Sequence, residues 1–323
     1  MKILSYIYLL IIRFRNFLYN SNIIKPYRSK SYVISIGNII AGGTGKTPII
    51  FYLAQFLQSK NYSVGIIAGG YRRKSKGLLI VHDVDKLLTN VEKAGDEAYL
   101  LAKKLSCPLL IHNKKYLALK EMDRLFDNDI ILVDDGFQHR KIYRNLDIVI
   151  VNEKTIEEEF LIPAGYLREE IKNLARADVL LYRDTNRRVE IVNNKDNFNF
   201  LTNIKIENLV ENNAIVVTAI ANPSIFVKFL QDKNAIIEKV FSFKDHHFFS
   251  KIEIDEIIEY CISNKIEFIY TTEKDYVKLE SYNQNFSDFN IALITIELEI
   301  LFDNDSMFKN YIEFKLNEKN TTN

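Results

Sequence analysis

Residues 41–48 read Ala-Gly-Gly-Thr-Gly-Lys-Thr-Pro. Gly42, Gly43 and Gly45 let the backbone turn tightly, and its N–H groups from Gly42 through Thr44 to Thr47 can surround phosphate oxygens. A helix starting here would add its positive N-terminal end. Lys46 is placed to neutralise charge on the β- and γ-phosphates, and Thr47 to ligate Mg²⁺. Pro48 fits the first helical turn, where no backbone N–H is needed. The widespread pattern G-x-x-x-x-G-K-[ST] would put its first glycine at Ile40, so Gly42 and Gly43 must supply the turn instead. The plainer alternative is a glycine turn joining strand to helix.

Acidic residues come next. Asp134-Asp135 closes the apolar run Ile130–Val133. A carboxylate at a buried strand end is costly unless it faces a cation, so a Mg²⁺ role competes with that of a turn or cap acid. Asp96 follows Gly95 and by itself reads as a helix N-cap. Asp245-His246-His247 is either structural or, with its acid, a proton relay or base-orienting group.

These groups need a scaffold, and the chain supplies a rhythm. Tyr32–Ile36, Val64–Ala68, Leu109–Ile111, Ile130–Val133, Ile148–Val151 and Val179–Tyr182 are short apolar runs, with room for helices such as Pro48–Ser59 and Asp96–Leu105 between them. Continuous apolar strands with crossovers predict an α/β fold, a parallel sheet with helices on both faces. Ligands gather at the carboxyl ends of such strands, which is where the glycine loop, Gly69-Gly70-Tyr71-Arg72-Arg73, Lys114-Lys115 and Asp134-Asp135 fall. Residues 186–213 read as a linker. A second, smaller αβ unit is predicted over 214–313: strand Ala214–Ala219, helix near Pro223–Leu230, helix Ser250–Ile262 with a Ser250/Glu253 capping box, and strand Phe268–Thr271. Residues 21–185 would form the phosphate-binding core and 314–323 a polar, frayed tail.

The net charge of +1 conceals an asymmetry: residues 1–82 carry twelve Lys and Arg and no acid, leaving 31 basic against 42 acidic residues beyond. A basic N-terminal quarter suits an anionic partner. Ile3–Ile12 is nearly all apolar and is followed by Arg13 and Arg15. That run is too short to span a bilayer. It fits a helix over residues 1–20 lying in a membrane interface, or one packed on the protein's own core. Cys107 and Cys261 lie far apart without metal spacing, as in a reduced, cytosolic protein. There is no nucleic-acid-reading module and no evident obligate protein partner.

Taken together, GNIIAGGTGKTP (37–48), GGYRRKSKG (69–77), GDEAYLLA (95–102), DDGFQHR (134–140), LIPAGYLRE (161–169), FKDHHFF (243–249) and TTEKDYVKL (271–279) resemble the tetraacyldisaccharide 4'-kinase family of lipid A biosynthesis. The resemblance spans nearly the whole chain and implies a P-loop NTPase-type core. It also implies ATP- and Mg²⁺-dependent phosphorylation of the 4'-hydroxyl of a tetraacyl glucosamine disaccharide 1-phosphate, at the cytoplasmic face of the inner membrane. By motif match Asp96 is the base on the hydroxyl, with His246 its partner. Lys46 and Thr47 serve phosphates and metal, Asp134, Asp135 and Glu169 serve metal and nucleotide, and Tyr71, Arg72, Arg73 and Lys115 lie near substrate. The chain departs from the family pattern at Arg72-Arg73, at Tyr166 in place of a proline, and at Lys114 or Lys115 where an arginine is expected. A membrane-associated switch ATPase is the rival reading; such loops often carry a lysine where this chain has Ala41.

Overall fold

The computed structural model describes residues 1–192, 194–206, 209–210 and 212–320. Twelve strands lie in one sheet. They are β1 (Tyr32–Gly37), β2 (Val64–Ala68), β3 (Leu79–His82), β4 (Leu109–Ile111), β5 (Ile130–Asp134), β6 (Leu146–Val151), β7 (Val179–Arg183), β8 (Asp196–Ile206), β9 (Ala214–Thr218), β10 (Ile237–Ser242), β11 (Phe268–Thr272) and β12 (Ala292–Phe302). Their order is β10-β9-β11-β12-β8-β7-β6-β1-β5-β2-β4-β3. The six apolar runs of the first unit all form strands, and β1, β2, β4 and β6 are buried along their whole length. Helices on both faces account for that burial.

The two αβ units are joined through the sheet itself. β8 runs parallel to β7, and β12 pairs antiparallel with β8 from Ile296↔Ile206 to Phe302↔Phe200. Strands β9 to β12 are parallel among themselves, and the sheet changes direction at the β8–β12 ribbon and again at its edge, where β3 pairs antiparallel with β4. Asp96 lies beyond β3 and His246 beyond β10, at opposite ends of the strand order, yet their side chains touch. The contact is carried by helix Asp96–Lys104, which packs on helix Glu273–Leu279 of the other unit and is joined to it by Lys104–Glu273.

Residues 186–213 therefore hold a strand where a linker was expected. β8 alternates apolar and polar residues, and its Asn, Asp and Lys side chains mask its strand character, while Phe198 and Phe200 are buried in the core of the first unit. The chain end differs likewise. A helix runs Asp305–Asn320 in place of a frayed tail after Glu313. Phe308, Ile312 and Leu316, four apart on one helix face, pack on Phe198 and Phe200. The second unit keeps its predicted elements. Ser250 caps helix Lys251–Ser263, with both hydrogen bonds of the capping box to Glu253 formed.

The N-terminal helix Lys2–Asn20 buries Ser5, Ile12 and Asn16 and turns most of its apolar residues outward. Ile3, Tyr6, Leu10 and Phe14 are each more than 60% exposed. The helix docks through polar contacts. Ser5 Oγ donates to the Leu161 carbonyl at 2.8 Å, Tyr8 donates to the Arg168 carbonyl at 3.0 Å, and Arg13 pairs with Glu170. Among the described residues no helix is long and apolar enough to cross a membrane.

Candidate active site

The glycine loop follows β1 and leads into helix Lys46–Ser59. Gly45 occupies the N-cap with φ +88°, a left-handed conformation that a side chain would strain. Gly42, at φ +119°, and Gly43 lie open on the outer rim, with nothing within 4 Å of where a Cβ would stand. The loop is braced from below. Thr44 is buried, and its Oγ1 accepts a 2.7 Å hydrogen bond from Asn38 Nδ2. It is also tied to the 161–169 segment, where Ala41 N donates to the Tyr166 carbonyl at 2.8 Å and Arg168 N to the Ile39 carbonyl at 2.7 Å. Lys46 and Thr47 stay half-buried at the helix start.

The strand-end acids divide in role. Asp135, in a left-handed turn at φ 48°, accepts from Arg168 at 2.7 and 2.9 Å and lies 3.6 Å from Lys46 Nζ. Burial would raise its pKa, but Lys46, Lys115 and Arg168 outweigh burial and hold it well below the usual carboxylate range. Asp134 is the opposite case. Burial lifts it to about 6 despite the pull of Lys115 and Lys46, with Asp135 and Glu97 adding their own repulsion. Its Oδ1 is buried with no hydrogen-bond partner. An orphaned, destabilised carboxylate oxygen at the carboxyl end of a central strand fits a divalent cation.

The remaining sequence-predicted residues separate into those that reach the site and those that support it. Asp96 opens helix Asp96–Lys104, with Gly95 as the N-cap. His246, itself left-handed at φ 62°, places Nδ1 2.8 and 3.0 Å from the two Asp96 oxygens. Burial favours a neutral Asp96, but the His246 hydrogen bond and the charges of Lys274 and Lys278 prevail and lower its pKa. Tyr71, mostly exposed, sets its ring edge against His246 at 5.1 Å. Arg72 donates to the Asp245 carbonyl and Arg73 to the Gly77 carbonyl, so Arg73 fastens its own loop. Lys115 is only 3% exposed, with Nζ on the carbonyls of Asp134 and Asp135. It secures the strand end rather than facing a substrate.

Glu169 is not brought to the metal position. Fully buried, it is held by Arg176 at 2.6 Å, Arg15 and Asn173 at 3.0 Å and Asn16 at 3.1 Å. Its oxygens are committed to cations and amides that hold the N-terminal helix. Among the described residues no three His, Cys, Asp or Glu side chains converge as a metal cage. Motif reading did not single out Asn38, Arg168, Lys274 or Lys278. Lys274 and Lys278 lie within the TTEKDYVKL stretch (271–279) that carries part of the resemblance, without a role assigned to either.

A sequence model of the family described as tetraacyldisaccharide-1-P 4'-kinase matches residues 1–317. The tetraacyldisaccharide 4'-kinase of Halothermothrix orenii is 34% identical, over 93% of this chain and 88% of the relative. That of Aquifex aeolicus is 35% identical, over 90% and 92%. The crystal structure of "apo" form LpxK from Aquifex aeolicus in complex with ATP superimposes with a TM-score of 0.81, at 31% identity over 97% of both chains. With glycine loop, strand-end acids and full-length likeness in agreement, this chain belongs to the tetraacyldisaccharide-1-P 4'-kinase family.

Proposed function

We propose that the protein transfers the γ-phosphoryl group of ATP to the 4'-hydroxyl of a tetraacyl disaccharide 1-phosphate, with Asp96 as the base. The observation that carries this assignment of roles is the Asp96–His246 contact, made across the two units beside the rim that bears the glycine loop. Glu97, next to Asp96, lies close enough to Asp134 to oppose its ionisation, which sets the acid pair and the strand-end acids around one space.

The glycine loop binds the phosphates through its N–H groups, and Lys46 stabilises charge on the transferring group. Asp135 holds Lys46 and Arg168 in place. Thr47 and Asp134 would hold Mg²⁺, which supplies charge neutralisation on the phosphate oxygens. Asp96 accepts the proton of the attacking hydroxyl, and His246 orients its carboxylate.

The inverted N-terminal helix supports a peripheral membrane location. An apolar face rich in Ile, Leu, Phe and Tyr is turned outward while the polar face is fastened to the protein. Inserted at a bilayer interface, it would meet a substrate whose acyl chains lie in that layer. The surface concerned is the cytoplasmic face of the inner membrane. Membership in a kinase family does not favour the switch-ATPase reading.

The test is incubation with γ-labelled ATP and the disaccharide 1-phosphate. Label at the 4' position is expected. ATP hydrolysis at an equal rate without the lipid, and no labelled lipid, would refute the reading.

A further inference from the structure

Lys274 Nζ lies 3.2 Å from His246 Nε2 and 3.2 Å from Glu97 Oε1. It also lies 3.9 Å from Asp245 Oδ1 and 4.0 Å from Asp96 Oδ2. We propose that Lys274 is a positioning residue, whose ammonium holds His246 in the Nδ1–H tautomer and thereby keeps Asp96 a carboxylate ready to accept a proton. The proposal rests on the reading of Asp96 and His246 as the catalytic pair.

An ammonium donates and cannot accept. At 3.2 Å the nitrogen facing it must offer its lone pair, so Nε2 carries no hydrogen. The single ring proton then sits on Nδ1, directed at the Asp96 oxygens 2.8 and 3.0 Å away. Burial alone would favour a neutral Lys274, but Glu97, Asp96 and Asp245 outweigh it and raise its pKa. The ammonium form therefore persists. Without it, Nε2 would face only the acceptor Asp245 Oδ2 at 3.5 Å, so the single ring proton would move to Nε2 and leave a bare Nδ1 lone pair against the Asp96 carboxylate.

The other groups around the pair leave this assignment in place. Lys278, with no side-chain exposure, lies 3.8 Å from Asp96 Oδ2 and 2.8 Å from Asp275. Asp275 is spent on Thr218, Ala219 N and Thr272. Tyr71 offers a ring edge, and Arg72 is committed to the Asp245 carbonyl. Among the described residues, only Lys274 touches the outer nitrogen from the second unit while also gripping Glu97 of the first. Helices Asp96–Lys104 and Glu273–Leu279 are further joined by Lys104–Glu273. The contact that sets the tautomer is thus part of the seam between the units.

Ring-¹⁵N spectra of His246 and pH profiles of kcat, measured on full-length wild type, Lys274→Met and Lys274→Arg, test the proposal. Wild type should show the Nδ1–H tautomer. In Lys274→Met the Nε2 proton should appear, and the acidic limb of kcat should move up by ~1 pH unit or more. KM for ATP should stay within about twofold, since no phosphate contact is lost. Lys274→Arg should retain the wild-type tautomer. Lys274→Gln keeps a donor without charge. It should hold the tautomer yet still raise the acidic limb, and it serves if the Met variant does not fold. Persistence of Nδ1–H in Lys274→Met with an unmoved pH profile would overturn the proposal. A tautomer lost at normal kcat and pH profile would support the hold of Lys274 on the ring and overturn the catalytic pair instead.

Discussion

The imidazole Nδ1 of His246 stands 2.8 Å from Asp96 Oδ2, although 150 positions separate the two residues. Both side chains are buried, and they come from units whose strands lie at opposite ends of one sheet. A local cap would not need such a partner. Asp96→Ala and His246→Ala should each lower kcat by about 10²–10⁴-fold, with little change in ATP affinity. The double variant should be scarcely worse than the more damaged single one, as for groups acting together. Steady-state kinetics on the four proteins decide. Strictly multiplicative losses, or an Asp96→Ala protein less stable by about 1 kcal/mol, as for a lost cap, but normal in kcat, would exclude the pair.

Asp134 gives the site a pH dependence. Its folded pKa of about 6 lies above the ordinary 3.8. The folded state therefore holds this proton more tightly than the unfolded state, and the associated stability is present at low pH and lost as pH rises through about 6. Asp134→Asn should consequently be more stable than wild type at pH 8 without metal, by roughly 3 kcal/mol for about two pKa units, yet inactive. Mg²⁺ must compete with the proton, so its affinity should fall about tenfold per pH unit below 6. Calorimetric Mg²⁺ titrations from pH 5 to 8 check the second outcome, and thermal melts with and without chelator check the first. A pH-independent Mg²⁺ affinity would remove Asp134 from the metal site.

We propose structural rather than metal duty for Glu169. With its side chain wholly buried between Arg15 and Arg176, Glu169→Ala leaves two cations short of a partner. A loss of about 3–5 kcal/mol is expected, seen as a lower denaturation midpoint. The Mg²⁺ concentration needed for half-maximal activity should be unchanged in the protein that remains folded. A stable variant with a raised Mg²⁺ requirement would restore Glu169 to the metal.

The outward apolar face of the N-terminal helix can be tested without deleting it, since deletion would strip Glu169 of Arg15 and Asn16. Leu10→Ser and Phe14→Ser, at 64% exposure each, should leave the melting temperature within a degree or two. Each should weaken binding to anionic vesicles on the order of tenfold, from lost apolar burial. Vesicle sedimentation measures it. Undiminished binding in the double variant would place membrane contact elsewhere.

The sequence by itself determined those features whose physics is local. β1, β2, β4, β5, β6 and β7 were legible because each is a continuous apolar run bounded by turn residues, and the glycine loop because Gly45 and Lys46 must adjoin a helix start. The capping box at Ser250 and Glu253 was legible for the same reason. β8 and the final helix were not, because their polar faces dilute the signal and only burial against one another selects Phe198, Phe200, Phe308 and Ile312 as core. Motif likeness named Asp96 and His246 together, but no spacing could make them touch; the packing of helix Asp96–Lys104 against helix Glu273–Leu279 across the two units did. Tertiary structure likewise decided the partners of Glu169, which are Arg15, Arg176, Asn16 and Asn173, and of Lys115, which are the carbonyls of Asp134 and Asp135. Lys274 lies in the quoted TTEKDYVKL stretch, but only the tertiary fold places it against the outer nitrogen of His246 and beside Glu97 of the other unit.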